Sequence, residues 1–284
     1  MPCESGHIGS TPSRDTNLPR QSAVFLTACL IQLTSPCLSC AQLKAGDYYR
    51  EAYNLALRGN TEAALSNYNR TIELATNYAD GYLGRGNVLR QLGKLDSAIE
   101  DYSHAIMLAP KYASPYIARA AVKHQKGDAK GALTDYNKAI DLHTDLTMAY
   151  TGRAAVRWGL GDLDLAIADY DHAIKFTRAS LEAWTDRGFA KYVKGDRDGA
   201  LADYNSAIKL WPNRPAGYEF RAQFKELKGD LDEAFVDYQK ALELDPKSAF
   251  AVEGRARIIA EQASRKRAGT NSIVNTETIQ PNRH

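Results

Sequence analysis

Arginine and aspartate recur through this chain at one fixed interval, and an acid beside a base can serve either proton transfer or a structural ion pair. The arginines are Arg85, Arg119, Arg153, Arg187 and Arg221; the aspartates are Asp101, Asp135, Asp169, Asp203 and Asp237; both sets advance by 34 residues. That shared period favours an ion pair fixing helix register over a charged stripe that selects a partner. Arg255 extends the basic series, while Glu51 and Asn67 stand at the first-unit positions, so pairing within a unit and pairing with the next are both compatible with the sequence. His104, His124, His143 and His172 lack the spacing of a metal site, and the first and last share one repeat position that suits a surface. Asp162-x-Asp164 and Asp230-x-Asp232 begin like a calcium loop but lack its remaining ligands, so helix capping explains them better. Cys3, Cys29, Cys37 and Cys40 all precede residue 41, which excludes a disulfide scaffold, a thiolate zinc site or a cysteine nucleophile in the rest of the chain. No phosphate loop, serine-nucleophile elbow or metalloprotease motif occurs. Neither an enzyme, a metal nor a cofactor is expected, and a net charge of +2 over 284 residues gives no basic field for nucleic acid.

The same interval organises everything else. Glycines stand at Gly59, Gly93, Gly127, Gly161, Gly195 and Gly229. Alanine follows each by five residues and tyrosine by nine (Tyr68, Tyr102, Tyr136, Tyr170, Tyr204, Tyr238). An aromatic residue precedes each glycine by eleven, and Gly or Ala precedes it by seven. Apolar residues on both sides keep helical spacing, so each unit reads as two helices with a left-handed glycine between them. Asp96, Asp164, Asp198 and Asp232 are expected to accept backbone N–H bonds at the start of each second helix, and Pro110, Pro212 and Pro246 to punctuate its end. Gly86, Gly188 and the phased alanines leave room for bulky side chains where helices cross, and the tyrosines are expected to plug those gaps with their hydroxyls near water.

This pattern resembles the tetratricopeptide repeat, whose aromatic opener, Gly/Ala, Ala-x₃-aromatic and closing proline are matched here with Tyr68, Tyr102 and their equivalents for phenylalanine. Two positions depart from it: the arginine row replaces a leucine, and Leu55, Leu89, Lys123, Arg157, Lys191 and Lys225 replace a tyrosine. The resemblance implies an all-α fold, a right-handed superhelical solenoid of antiparallel helix pairs with units at 45–78, 79–112, 113–146, 147–180, 181–214 and 215–248. Val252, Arg255 and Ala256 begin a further first helix, so 249–265 is expected to form a polar-faced cap and 266–284 a disordered tail.

In this family the first helix of each unit lines the concave face, and that assigns candidate groove residues. Three before the glycines come Arg90, His124, Trp158 and Tyr192; six before come Tyr53, Asn87 and Phe189; nine before comes Phe220. The small residues of units 2 to 4 should leave a hollow floor among these aromatic and arginine anchors, suited to an extended peptide or a helix. A carboxylate clamp of the chaperone-binding kind is not expected, because only Asn87 matches its polar set. The expected function is a non-catalytic scaffold with a protein or peptide partner and no small-molecule substrate. The alternative is a structural or envelope-assembly protein that forms a homo-oligomer or acts through its convex face.

Residues 1–41 read as a signal peptide: Arg14 and Arg20, an apolar run from Ala23 to Leu33, then Ser39-Cys40-Ala41 with cleavage after Ala41. Eleven apolar residues do not span a bilayer. The expected location is periplasmic or secreted, with membrane attachment only through a lipidated Cys40 and a cytoplasmic location as the alternative.

Overall fold

The computed structural model describes the backbone of residues 38–143, 147–176 and 180–277, and side chains within 44–143, 147–175 and 180–267. The apolar run of the expected signal peptide lies outside the described residues. Among them are thirteen helices and no strand. They run as six antiparallel pairs, α1 (Leu38–Leu57) with α2 (Thr61–Leu74), α3 (Ala79–Gln91) with α4 (Leu95–Leu108), α5 (Ala113–Gln125) with α6 (Ala129–Leu142), α7 (Thr147–Leu160) with α8 (Leu163–Phe176), α9 (Leu181–Lys194) with α10 (Arg197–Leu210), and α11 (Pro215–Lys228) with α12 (Leu231–Leu244), followed by α13 (Ala249–Glu277). Each helix packs on its neighbours in the chain. Odd-numbered helices also touch each other from α1 to α7 and from α9 to α13, so they form the inner row of a superhelical stack. That contact is thinnest between α7 and α9.

The turn within each unit rests on backbone conformation. The six phased glycines have φ between 74° and 97°, a region that costs any residue with a Cβ. At Gly195 the reversal is sealed by its own N–H on Tyr192 O and by Asp196 N–H on Lys191 O. Capping differs from the expectation. Asp128 and Asp196 accept from Gly131 N and Gly199 N at 2.8 and 2.9 Å, and Asn60 accepts from Ala63 N. Asp96 and Asp164 sit two residues too far into their helices to cap them; they pair with Lys126 and Lys194 of the following unit. The helices end before Pro110, Pro212 and Pro246 as expected.

The tyrosines of the even helices form the core between units. Tyr68, Tyr102, Tyr136, Tyr170, Tyr204 and Tyr238 are all buried. A Cβ on Gly86 or Gly188 would collide with the tyrosine ring of the same unit, and one on Gly84, Gly152 or Gly254 with that of the preceding unit. Each ring therefore fills a cradle made by two consecutive odd helices. The hydroxyls do not simply face water: Tyr102 donates to Asn87 Oδ1 at 2.9 Å and Tyr238 to Glu226 Oε2 at 2.7 Å. Burying the ring brings the hydroxyl under the inner row, where the nearest polar side chain satisfies it.

The arginine and aspartate rows pair, and they do so in both senses at once. Within units Arg85 Nε and Nη2 fork onto Asp101 at 2.8 and 2.7 Å, and the same fork recurs at Arg119–Asp135, Arg153–Asp169, Arg187–Asp203 and Arg221–Asp237. The remaining Nη1 reaches back sixteen residues to the preceding unit, onto Asn69, Ser103, Asn137, Asp171 and Asn205 in turn. Arg255, with no aspartate ahead of it, keeps only the backward bond, to Gln239. The second departing row joins the same acid: Lys123, Arg157, Lys191 and Lys225 place a second cation on Asp135, Asp169, Asp203 and Asp237. The two substitutions are thus one device.

Helix α13 carries the cap and overruns it. Ala251 and Ile258 are buried against the last unit, and Arg257 forks onto Glu226 at 2.9 and 3.0 Å. The backbone stays helical to Glu277, so a cap ending at 265 and a disordered tail over 266–284 are corrected for residues 266–277. No proline occurs between Pro246 and Pro281, and a helix anchored by packing propagates at little cost until something stops it. Residues beyond 277 lie outside the described region.

Candidate functional site

The inner row of odd helices presents two hollows and an aromatic run. The first hollow, about 550 Å³, lies over α1, α3 and α5. Tyr53 and Leu57 of α1, Leu83, Asn87 and Arg90 of α3, and Ile117 and Ala121 of α5 line it, with Met148 of α7 at its far end. Tyr53 and Met148 are well exposed, so this apolar surface faces solvent. Gly84 also borders it, but the ring of Tyr68 fills the space over that glycine. The small residues here serve core packing and hollow alike. Arg90 is exposed and lies near the hydroxyl of Tyr102, which donates to Asn87.

The second hollow, about 320 Å³, opens where α7 and α9 stand apart. Its lining is His124 of α5, Ala155 and Trp158 of α7, Tyr170 of α8, and Asp186 and Phe189 of α9. Trp158 is 41% exposed and its ring centroid lies 5.8 Å from that of Phe189, at a tilt of 39°. Ala155, one turn before Trp158, leaves the floor open down to Tyr170.

Aromatic contact then continues towards the C-terminus. Phe189 stacks with Tyr192 at 6.5 Å, and Tyr192 meets Phe224 edge-on at 5.6 Å. Phe220 stacks on Tyr204 at 6.4 Å and touches Phe250 of the cap at 6.4 Å. Among the candidates named from the sequence, Tyr53, Asn87 and Arg90 therefore share one hollow, while His124, Trp158 and Phe189 share the other. Tyr192 and Phe220 are half-buried links of the aromatic run rather than lining of either hollow.

Asp186, Phe224 and Phe250 complete this surface and were not among the candidates. Asp186 carries a sequence signal. In its register, nine before the glycine, the chain reads Arg50, Gly84, Ala118 and Gly152 before it, and Phe220 after it. Gly84, Gly152 and Phe220 pack on the preceding tyrosine, and Asp186 is the one carboxylate of the row. Crowding by the cleft, aided by the charge of Glu182 one turn away, pushes the Asp186 carboxyl up to about 6 against the lowering effect of the neighbouring Tyr170 hydroxyl. The side chain is nonetheless open to the channel, as a concave wall allows. His104 and His172, expected at the surface, are exposed and stack on Tyr82 and Tyr150. No described helix is long and apolar enough to cross a membrane.

Similarities to known proteins agree with this architecture. A family model described as TPR repeat matches residues 86–127, and one described as Tetratricopeptide repeat matches residues 185–249. No curated protein is matched by the sequence. Among solved structures, a chain of the APC/C hetero-tetramer Cut9–Hcn1 is similar over 84% of this chain at a TM-score of 0.65 and 16% identity; the match spans 46% of that chain's own length. A tetratricopeptide repeat protein from Parabacteroides merdae is similar over 85% of this chain and 95% of its own, at a TM-score of 0.65 and 20% identity. YrrB, described as a TPR protein with an unusual peptide-binding site, is similar over 66% of this chain and 97% of its own, at a TM-score of 0.50 and 20% identity.

Proposed function

Because this chain is a tetratricopeptide-repeat protein, built on a fold that serves generally as a scaffold for protein–protein interaction, we propose that it binds a peptide segment of a protein partner along its inner row and performs no catalysis. One observation carries the reading. The contacts between units are already closed by the buried tyrosines, yet the inner row adds Tyr53, Trp158 and the aromatic run beside two open hollows. Core packing does not require a large indole that is 41% exposed; an anchor pocket for a partner side chain does.

The test is a crosslinking capture of partners by the native protein and by the Trp158→Ala plus Tyr192→Ala variant, with helicity checked by circular dichroism. Loss of capture with intact helicity is expected; undiminished capture would count against the inner row. Self-association through the outer face has weaker support. Exposed Met107, Leu165 and Val236 lie on even helices, but at unlike positions of separate units, so they form no repeating patch.

Export is part of the proposal and rests on the leader-like order of Arg14, Arg20, the apolar run and Ser39-Cys40-Ala41. N-terminal sequencing of the mature protein tests it, with Gln42 as the expected first residue and a lipidated Cys40 as the membrane-attached outcome.

A further inference from the structure

We propose that the hollow between α7 and α9 is a cation pocket, which takes a lysine or arginine side chain of the peptide lying along the inner row; this rests on the groove reading above and gives its ligand a charge.

Three features converge there. Trp158 and Phe189, in contact with centroids 5.8 Å apart at a tilt of 39°, form one aromatic wall, and the face of an aromatic ring attracts a cation. Asp186 lies one turn before Phe189 on α9 and faces the same hollow, so an ammonium or guanidinium laid against that aromatic wall finds a carboxylate beside it. The Tyr170 hydroxyl lies beside that carboxylate on the floor of the hollow. A volume of about 320 Å³ is ample for the end of a basic side chain.

The charge pattern selects among occupants. Asp186 has no lysine or arginine partner among the described residues. The cations nearest in sequence are committed elsewhere, Arg187 to Asp203 and Asp171, and Lys191 to Asp203. An anionic ligand would meet both Asp186 and Glu182. A neutral apolar side chain would cover an ionised carboxylate without pairing it, which is costly. A cation resolves a mismatch absent from the other units, where units 2 to 4 and 6 place Gly, Ala or Phe at this register and unit 1 places Arg50. The raised protonation point of Asp186 agrees: the site lacks the positive charge that would hold the carboxylate ionised. His124 on the opposite rim and Tyr170 on the floor are the other titratable groups lining the hollow.

The experiment uses the full chain at pH 8 and low salt, with the indole N–H signal of Trp158 assigned by its loss in Trp158→Phe. Butylammonium and methylguanidinium are titrated as probes, with butanol and butyrate as neutral and anionic counterparts. Saturable shifts with the two cations are expected, with little response to butanol or butyrate. Asp186→Asn should weaken cation binding by about tenfold. Equal response to butanol, or cation binding unchanged in Asp186→Asn, would overturn the pocket. The two readings separate cleanly. Partner capture lost in Trp158→Ala plus Tyr192→Ala, with no cation response at Trp158, sinks the pocket and spares the groove. A cation response with partner capture unaffected does the reverse.

Discussion

Arg119 grips the Asp135 carboxylate with Nε at 2.8 Å and Nη2 at 2.7 Å, and leaves Nη1 to bond Ser103 of the preceding unit at 2.9 Å. Its guanidinium also lies over the ring of Tyr116, 5.9 Å from the centroid. One side chain thus joins the two helices of its own pair and ties that pair to its neighbour. Asp135 is nearly fully buried and Arg119 largely so, which makes the pair sensitive to losing one partner.

Asp135→Ala leaves Arg119 and Lys123 half-buried without their acid. It is expected to cost about 3–5 kcal/mol in urea unfolding. Arg255→Ala removes a single bond to Gln239 at the end of the row and is expected to cost less than about 1 kcal/mol. Similar losses for the two would show that the fork itself contributes little.

Two glycines on α7 should respond in opposite directions. Gly152→Ala drives a methyl into the Tyr136 ring and should destabilise by about 1–3 kcal/mol despite the better helix propensity. At Gly159 an added methyl meets open space, so Gly159→Ala should gain up to about 1 kcal/mol. Thermal unfolding of both variants, side by side, decides whether the tyrosine cradle is as tight as described.

The cap should be separable from the helix that extends it. Ile258→Ala opens a cavity against the last unit and is expected to cost about 2–4 kcal/mol. A chain ending at Arg267 retains Ile258 and the Arg257–Glu226 fork, and its unfolding midpoint should match that of the full chain. A large loss on that truncation would show that residues past 267 contribute to the stack.

Asp186 gives a pH signature with a definite sign. Its folded protonation point lies near 6, above the ordinary aspartate value of 3.8, so the native state holds the proton more tightly than the unfolded chain. The carboxylate therefore destabilises the fold above pH 6, and the penalty fades as pH falls from 6 towards 4. The side chain is open to the channel, so screening leaves the effect on the order of 1 kcal/mol. Asp186→Asn should be more stable than the native chain at pH 7.5 and indistinguishable from it near pH 4. A native chain that is the more stable at pH 7.5 would mean that Asp186 has a cationic partner after all.

The sequence was most legible where every unit must solve the same problem. The turn glycines, the plugging tyrosines and the arginine and aspartate rows repeat because each pair of helices needs the same reversal, the same filler and the same tie. What repetition cannot convey is how one side chain divides its hydrogen bonds. Arg85 and its equivalents bond forward and backward together, which residue types alone left as two alternatives. Lys123 and Arg157 read as mere departures from the family pattern until Asp135 and Asp169 were seen to collect both cations. The hollow at α7 and α9 depends on a spacing between helices that no local pattern encodes. Its clue was a single carboxylate at a register that reads Gly, Ala or Phe in units 2 to 4 and 6, and a rule drawn from repeats looks past such an exception. The helix beyond residue 265 was missed for the opposite reason: its composition is polar and aperiodic, but its backbone continues from a packed segment.

The first helix pair lacks both partners of the recurring fork, having Glu51 and Asn67, and beside the packing of Tyr68 over Gly84 its polar tie across the boundary is Asn69 on Arg85. The two ends of the rod are therefore unlike. The C-terminal end is clamped by Arg257, Glu226 and Tyr238, whereas the N-terminal end is the natural place for the array to come undone. Amide exchange should be fastest in α1 and α2 and slow progressively from α3 onward, giving the unravelling of this chain a direction.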